Sequence, residues 1–181
     1  MGQINQPTPA LLLIAVCTRY DEVLAWARQR AECEFGLVAL ESDPFDFVET
    51  DYYRETMGEG LKKQFLVFEQ PIDPGQLSDI KRTTNGWEQE CAEQKKHPKP
   101  RPLNLDPGYL TLAKLVLAST KDHAHRIYLG TGIYAEVTLQ YRARRWESLP
   151  WTYPDYHRDD YQQFFSISRQ LLGRQVDKKA N

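Results

Sequence analysis

The sequence is poor in the features that would assign it outright. Cysteine is scarce: Cys17, Cys33 and Cys91 stand far apart, with no CxxC pair and no even set. That excludes a disulfide framework and a CxxC redox motif, and it fits reduced, intracellular thiols. No apolar run approaches the ~20 residues a membrane helix needs. The longest, Ala10 to Cys17 (ALLLIAVC), follows a stretch without Lys or Arg, so it lacks the positive flank of a signal peptide. A cytoplasmic protein without a membrane segment is expected. An excess of one charge is missing too: 23 Lys and Arg face 25 Asp and Glu. That balance does not indicate a dedicated nucleic-acid binder, although Arg142-Ala143-Arg144-Arg145 is locally basic. Glycine-rich phosphate loops are absent. Neither GxxxxGK[ST] nor GxGxxG occurs, and Gly58-Glu59-Gly60 and Gly130-Thr131-Gly132 lead into neither, so the sequence names no cofactor.

What is present fits one domain. The 181 residues are 41% hydrophobic and 27% charged, ordinary values for a globular chain. Residues 1–9 read as a flexible leader, 10–172 as the domain, and 173–181 as a flexible polar tail. Ala10 to Cys17 is apolar throughout, as a strand covered on both faces would be. From Asp21 the period becomes helical (Val23, Leu24, Ala27, Ala31), with Asp21 as N-cap and Gly36 as stop. Leu37 to Leu40 and Leu61 to Glu69 are the next strands. Between them lies an aromatic, charged loop, Asp51 to Gly60. Helical spacing returns from Gln76 to about Lys95 and puts Lys81, Asn85 and Glu88 on one face. Lys95 to Pro102 (KKHPKPRP) reads as a linker.

Leu103 to Leu139 holds the densest set of polar residues. Leu103-Asn104-Leu105-Asp106 alternates as a strand, and Asp106-Pro107-Gly108 supplies turn chemistry. Leu112 to Ala118 is apolar at both periods and is assigned to a short buried helix. His125 to Leu129 and Ile133 to Leu139 alternate around Gly130-Thr131-Gly132, a hairpin with a three-residue loop. Its register sets 129 against 133, 128 against 134, and Arg126 against Glu136. Ile127, Leu129, Ile133, Ala135, Val137 and Leu139 then share the core face. Trp146 to Tyr156 is an aromatic strap, and Tyr161 to Leu172 an amphipathic closing helix. The order β-α-β-β-α-β predicts an α+β, ferredoxin-like antiparallel sheet, extended by the hairpin and the C-terminal helix. A three-layer α/β fold is the alternative.

Several strings carry a family likeness: Tyr52-Tyr53-x-Glu55-x-Met57-Gly58, Ile80-Lys81-x-x-Thr84-Asn85-x-x-Glu88, Asn104-Leu105-Asp106-Pro107-Gly108-Tyr109, Leu115 to Asp122, His125 to Leu129, Gly132 to Leu139, and Trp151-Thr152-Tyr153-Pro154-Asp155-Tyr156. Over nearly its whole length the chain resembles the prokaryotic family called domain of unknown function 4416. The resemblance implies that these polar segments belong to one module. Some members bear a loose GTP-binding label. The residues do not support a Ras-like GTPase, since the P-loop is absent and Thr120-Lys121-Asp122 lacks the spacer of a guanine-reading motif.

Two functions of different class follow. In the first, the chain binds or acts on a small anionic molecule, a nucleotide or phosphorylated metabolite, at a site built on residues 104–138. Lys81, Lys121 and Arg126 bind the anion. Asp106 or Glu136 is the acid/base. Asn85 and Asn104 orient the ligand, and Tyr52 or Tyr53 stacks on a ring. In the second, the strap (Trp146, Trp151, Tyr153, Tyr156) makes a non-catalytic contact with a protein or a single-stranded nucleic acid. His123 and His125 have HxH spacing. In the hairpin register, however, His125 and Glu136 point to opposite faces, so no metal site is expected.

Overall fold

The computed structural model describes residues 1–180. Among them nine strands form one sheet, and every pairing is antiparallel. These are β1 (Ala10–Thr18), β2 (Val38–Glu41), β3 (Phe45–Asp46), β4 (Lys62–Ile72), β5 (Asn104–Leu110), β6 (Lys114–Ser119), β7 (Ile127–Gly130), β8 (Ile133–Arg142) and β9 (Arg145–Ser148). The order is β2-β4-β1-β5-β6-β8-β7, with β3 also on β4 and β9 also on β8. The helices are α1 (Asp21–Phe35), a single turn α2 (Arg54–Met57), α3 (Leu77–Glu93) and α4 (Asp159–Ala180).

Strand β1 is buried along its whole length because both its faces are covered. Leu12, Ile14 and Val16 face one core with Val23, Leu24 and Ala27 of α1 and Ile80, Trp87 and Cys91 of α3. Leu11, Leu13 and Ala15 face the other, with Tyr161, Phe164, Phe165 and Leu172 of α4. The fold is therefore α+β, with α1 and α3 on one side of an antiparallel sheet and α4 on the other. That second core is aromatic. Phe65 is fully buried and packs on Tyr156, Tyr161, Phe164 and Phe165 with ring centroids 4.7–6.0 Å apart.

Four sequence expectations change. First, Asp106-Pro107-Gly108 is not a turn but lies inside β5, which pairs with β1 from Asn104 to Leu110. Neighbour β6 joins only at Gly108–Leu110. On the β6 side an antiparallel strand offers its N–H and C=O at every second residue. Here those residues are Leu105, Pro107 and Tyr109. Tyr109 enters the ladder against Val116. Pro107 has no N–H to satisfy, so it is tolerated at this half-open edge. Gly108 is needed for space: a Cβ there would stand 2.2 Å from the Val116 carbonyl oxygen.

Second, Leu112 to Ala118 is not a helix; Lys114–Ser119 is β6. Its apolar residues divide between two cores, Leu115 and Leu117 under α4, Val116 and Ala118 toward Leu77 of α3. A strand covered on both faces carries no period that separates it from a buried helix. Third, the hairpin keeps Tyr128 opposite Tyr134 but sets Gly130 against Ile133. Strand β7 overhangs the sheet edge, so Ile127 and Leu129 are exposed, not core. On β8 an extra residue at Thr138 shifts the register to β6, and Leu139 turns into the α4 core, away from Ile133 and Ala135. The start of the strap is also a strand, β9, reached by a tight turn with Ala143 and Arg144 at φ 48° and 63°. Fourth, α4 runs through Gly173 to Ala180, where a polar tail was expected; Asn181 lies outside the described residues.

The Gly108 geometry is testable. Gly108→Ala drives a methyl into the β6 backbone and should cost about 1–3 kcal/mol, typical of overpacking. A melting temperature unchanged within a degree would show that β6 can shift freely.

Candidate functional site

The early divergence of β5 and β6 leaves a split in the sheet. Its backbone groups are met by side chains of α3. Lys81 Nζ donates to the Leu105 carbonyl at 2.6 Å, and the Leu105 N–H donates to Glu88 Oε1 at 2.7 Å. Lys81 and Glu88 thus occupy the place of a strand, with Asn85 between them facing the cavity. Next to them opens a cavity of about 600 Å³.

Strand parity places its other walls. Lys63, Cys17 and Asn104 are cross-strand neighbours, and the next row is Phe65, Ala15 and Asp106. Glu136 stands opposite Leu117. These polar residues continue the face that packs under α4, at the end where α4 no longer covers it. The mouth is formed by the 49–53 loop, Arg101, Lys121 and Tyr153.

Tyr52, Tyr53, Lys81, Asn85, Asn104, Asp106, Lys121 and Glu136 all line this one cavity. Arg126 does not. It lies behind the wall with four of its five N–H groups engaged: Nε donates to Glu136 at 2.7 Å, Nη1 to Ser119 and the Lys121 carbonyl, and Nη2 to Tyr153 at 2.6 Å. Both Arg126 and Glu136 side chains are buried. The cross-strand ion pair expected from the register is present, as an inward pair that fixes the wall. Its free fork for phosphate is gone.

The remaining charges are also paired. Lys63 bonds Asp155, both buried, and its ammonium sits 4.1 Å from the centre of the Phe47 ring. Lys81 meets Asp106 at 3.4 Å, Arg101 meets Glu88 at 3.0 Å, and Glu49 meets Arg158 at 2.8 Å. Arg101 also bonds Asn104, whose amide donates to Asp106 at 2.7 Å. Among the described residues Lys121 is the one cation on the wall without a carboxylate partner. Its Nζ donates to the Tyr52 hydroxyl at 2.8 Å, above a ring that packs edge-on against Tyr53.

The carboxyl groups diverge. Burial alone would raise Asp106, but Lys81, Lys63 and the Asn104 amide outweigh it and hold Asp106 below its ordinary value. It stays ionised near neutrality and suits accepting hydrogen bonds, not donating a proton. Burial raises Glu88 against the opposing pull of Lys81 and Arg101. The Lys121 hydrogen bond and charge lower the Tyr52 phenol. Burial pushes the Cys17 thiol up to about 12, which makes it inert.

A shallower pocket of about 430 Å³ lies outside, sharing Lys121 and Tyr153 with the cavity. Trp151 floors it, anchored by Nε1 on the Val137 carbonyl at 2.9 Å. His125 stacks on Trp151 with planes 9° apart, and His123 stacks on His125. His125 precedes β7, so its ring is free of the strand's alternation. Its Nε2 lies 3.0 Å from Glu136, not on the opposite face as the register implied. Among the described residues no group of three or more His, Cys, Asp or Glu is placed to hold a metal ion. The strap is divided: Trp146 and Tyr156 are buried, and only Trp151 and Tyr153 reach solvent.

Sequence reasoning passed over Lys63 and Arg101. Lys63 carried a signal, because it sits two residues before core Phe65 in an extended strand and so shares its face. Arg101 carried none. It lies in the presumed linker and is drawn in by its N–H on the Thr56 carbonyl and its guanidinium on Glu88.

Two outcomes follow. Lys63→Met leaves Asp155 buried and unpaired and should cost about 3–5 kcal/mol in urea unfolding; adding Asp155→Leu should restore much of it. Equal instability of the double variant would refute the pairing argument. Asp106 contributes stability above the ordinary carboxylate value of 3.8 and loses it as pH falls through its lower folded value. The stability gap between the natural chain and Asp106→Asn should therefore be flat near neutral pH and close below about pH 4. A gap as wide in acid as at neutral pH would contradict this.

No curated protein and no solved structure matches the chain. One family model does, over residues 8–171, so the chain belongs to the family described as Domain of unknown function (DUF4416).

Proposed function

We propose that the chain binds a small anionic polar molecule, a nucleotide or phosphorylated metabolite, in the cavity at the β5–β6 split. The observation that carries the reading is the convergence of tyrosine rings, amides and a cation without a carboxylate partner on one 600 Å³ space, a size typical of ligand sites. Tyr52 and Tyr53 offer ring faces at the mouth. Asn85 lines the wall and makes no side-chain hydrogen bond among the described residues, so its amide is available. Ionised Asp106 accepts from the ligand, and Glu136, held by Arg126 and His125, fixes the far wall. These roles describe recognition, and in a reaction Asp106 would serve as the base, with Glu136 as the other acid/base candidate. The strap reading is weaker, since the core takes Trp146 and Tyr156.

The order β2-β4-β1-β5 around α1 and α3 supports a ferredoxin-like unit to which β6–β9 and α4 are added. Free Cys17, Cys33 and Cys91 support a cytoplasmic location; among the described residues no helix is long and apolar enough to cross a membrane.

A thermal-shift screen with nucleotides, sugar phosphates and their neutral parents tests the binding. A ligand at about 100 times its Kd stabilises by about 2.7 kcal/mol, several degrees here. Asn85→Leu, on a helix face at the cavity, should remove the shift and leave the unliganded melting temperature unchanged. A flat screen on well-folded protein would end this reading and leave Trp151 and Tyr153 as the surface to pursue.

A further inference from the structure

We infer that the anionic group of the ligand docks outside the deep cavity, in the shallow pocket of Lys121, His123, His125 and Tyr153, while a neutral polar head fills the cavity. The inference rests on the binding reading above and gives it a layout.

The deep cavity is a poor place for a phosphate. Carboxylates outnumber cations along its wall, and each of its cations except Lys121 already holds a carboxylate. A phosphate seated there would meet those carboxylates in a medium that screens little. The outer pocket is the reverse. Not one residue that lines it is acidic. The neighbouring Asp122 does not line it. Lys121 spends one ammonium hydrogen on Tyr52 and keeps two. His125 meets Glu136 through Nε2, and its Nδ1 makes no hydrogen bond among the described residues. No side-chain hydrogen bond engages His123 among the described residues. The Lys121 ammonium and the His123 ring around one concavity, backed by a fixed Trp151, form an anion site whose charge-assisted donor is Lys121.

Lys121 and Tyr153 border both spaces and act as a sill. A molecule that crosses it has a hydrogen-bonding ring inside and one anionic group outside. That describes a phosphate monoester of a nucleoside or a sugar. A head that itself carries negative charge is excluded by the cavity's carboxylates.

The test follows the imidazole NMR signals of the full-length chain. Inorganic phosphate should move the His123 and His125 signals saturably and leave His97, stacked on Tyr20, in place. Trp151, the exposed member of the four tryptophans, should change fluorescence in the same titration, and Trp151→Phe should abolish that change. A nucleoside or sugar from the screen should bind without moving the two histidines. Lys121→Gln should lower affinity for the monoester by roughly 10-fold or more and spare the neutral parent. If monoesters bind but move neither histidine and ignore Lys121→Gln, this layout is overturned and the cavity reading stands. If phosphate moves the histidines but no monoester or parent binds, the anion site stands and the cavity reading falls. Silence in every arm removes both.

Discussion

The structure turns on an interrupted hydrogen-bond ladder. Strands β5 and β6 stay together for three residues and then separate, and backbone groups left at such a split cost several times a net hydrogen bond if buried unmet. Leu105 escapes that cost through Lys81 and Glu88, Pro107 through its missing N–H, and Tyr109 by rejoining the ladder. A similar repair occurs across the sheet. Between β7 and β9 the outer edge of β8 has no strand partner among the described residues, and the bulge at Thr138 turns two successive carbonyls outward. Trp151 Nε1 and the Thr152 hydroxyl take them. Side chains standing in for strands thus meet the Leu105 N–H and carbonyl beside the cavity and the Val137 and Thr138 carbonyls on the far edge.

The same device explains the density of buried charge. A lysine that serves a backbone carbonyl brings a full charge inward, and that charge needs a counter-ion. Lys81 therefore draws Asp106 toward it, Asn104 fixes Asp106, and Arg101 balances Glu88. Lys63 and Asp155 add a pair of their own. Such pairs rarely add net stability over an apolar core, but removing one member is costly, so they fix geometry more than they strengthen the fold. The wall is rigid for an electrostatic reason, and the one cation without a carboxylate stands at its rim.

How much of this could be read from the sequence depended on whether a residue's neighbours along the chain determine its surroundings. Strand β1, helices α1 and α3, and the 128–134 pairing were legible, because apolar periodicity and turn chemistry are local. The grouping of Lys81, Asn104, Asp106, Lys121 and Glu136 could be inferred because these residues crowd one stretch and one helix face. Asp106-Pro107-Gly108 misled, since its composition signals a turn, whereas pairing with the distant β1 makes it strand and the missing β6 partner at Pro107 lets a proline stand there. Leu112 to Ala118 was ambiguous because burial on both faces erases alternation. Arg101 was invisible, as its place depends on Thr56 and Glu88, both distant in the chain.

Residues 151–153 join the two pockets mechanically. Trp151 and Thr152 are fastened to β8, and the Tyr153 hydroxyl receives Arg126, which in turn grips Glu136 and the 119–121 loop. Lifting Tyr153 to admit a bulky molecule would release Arg126 and with it the inner wall. The strap and the wall therefore open as one cooperative unit, not as a hinged flap over a fixed cup. A change at residues 151–153 is therefore felt at the inner wall through Arg126, although no atom of the strap touches Lys81 or Asn104 in the hydrogen-bond network.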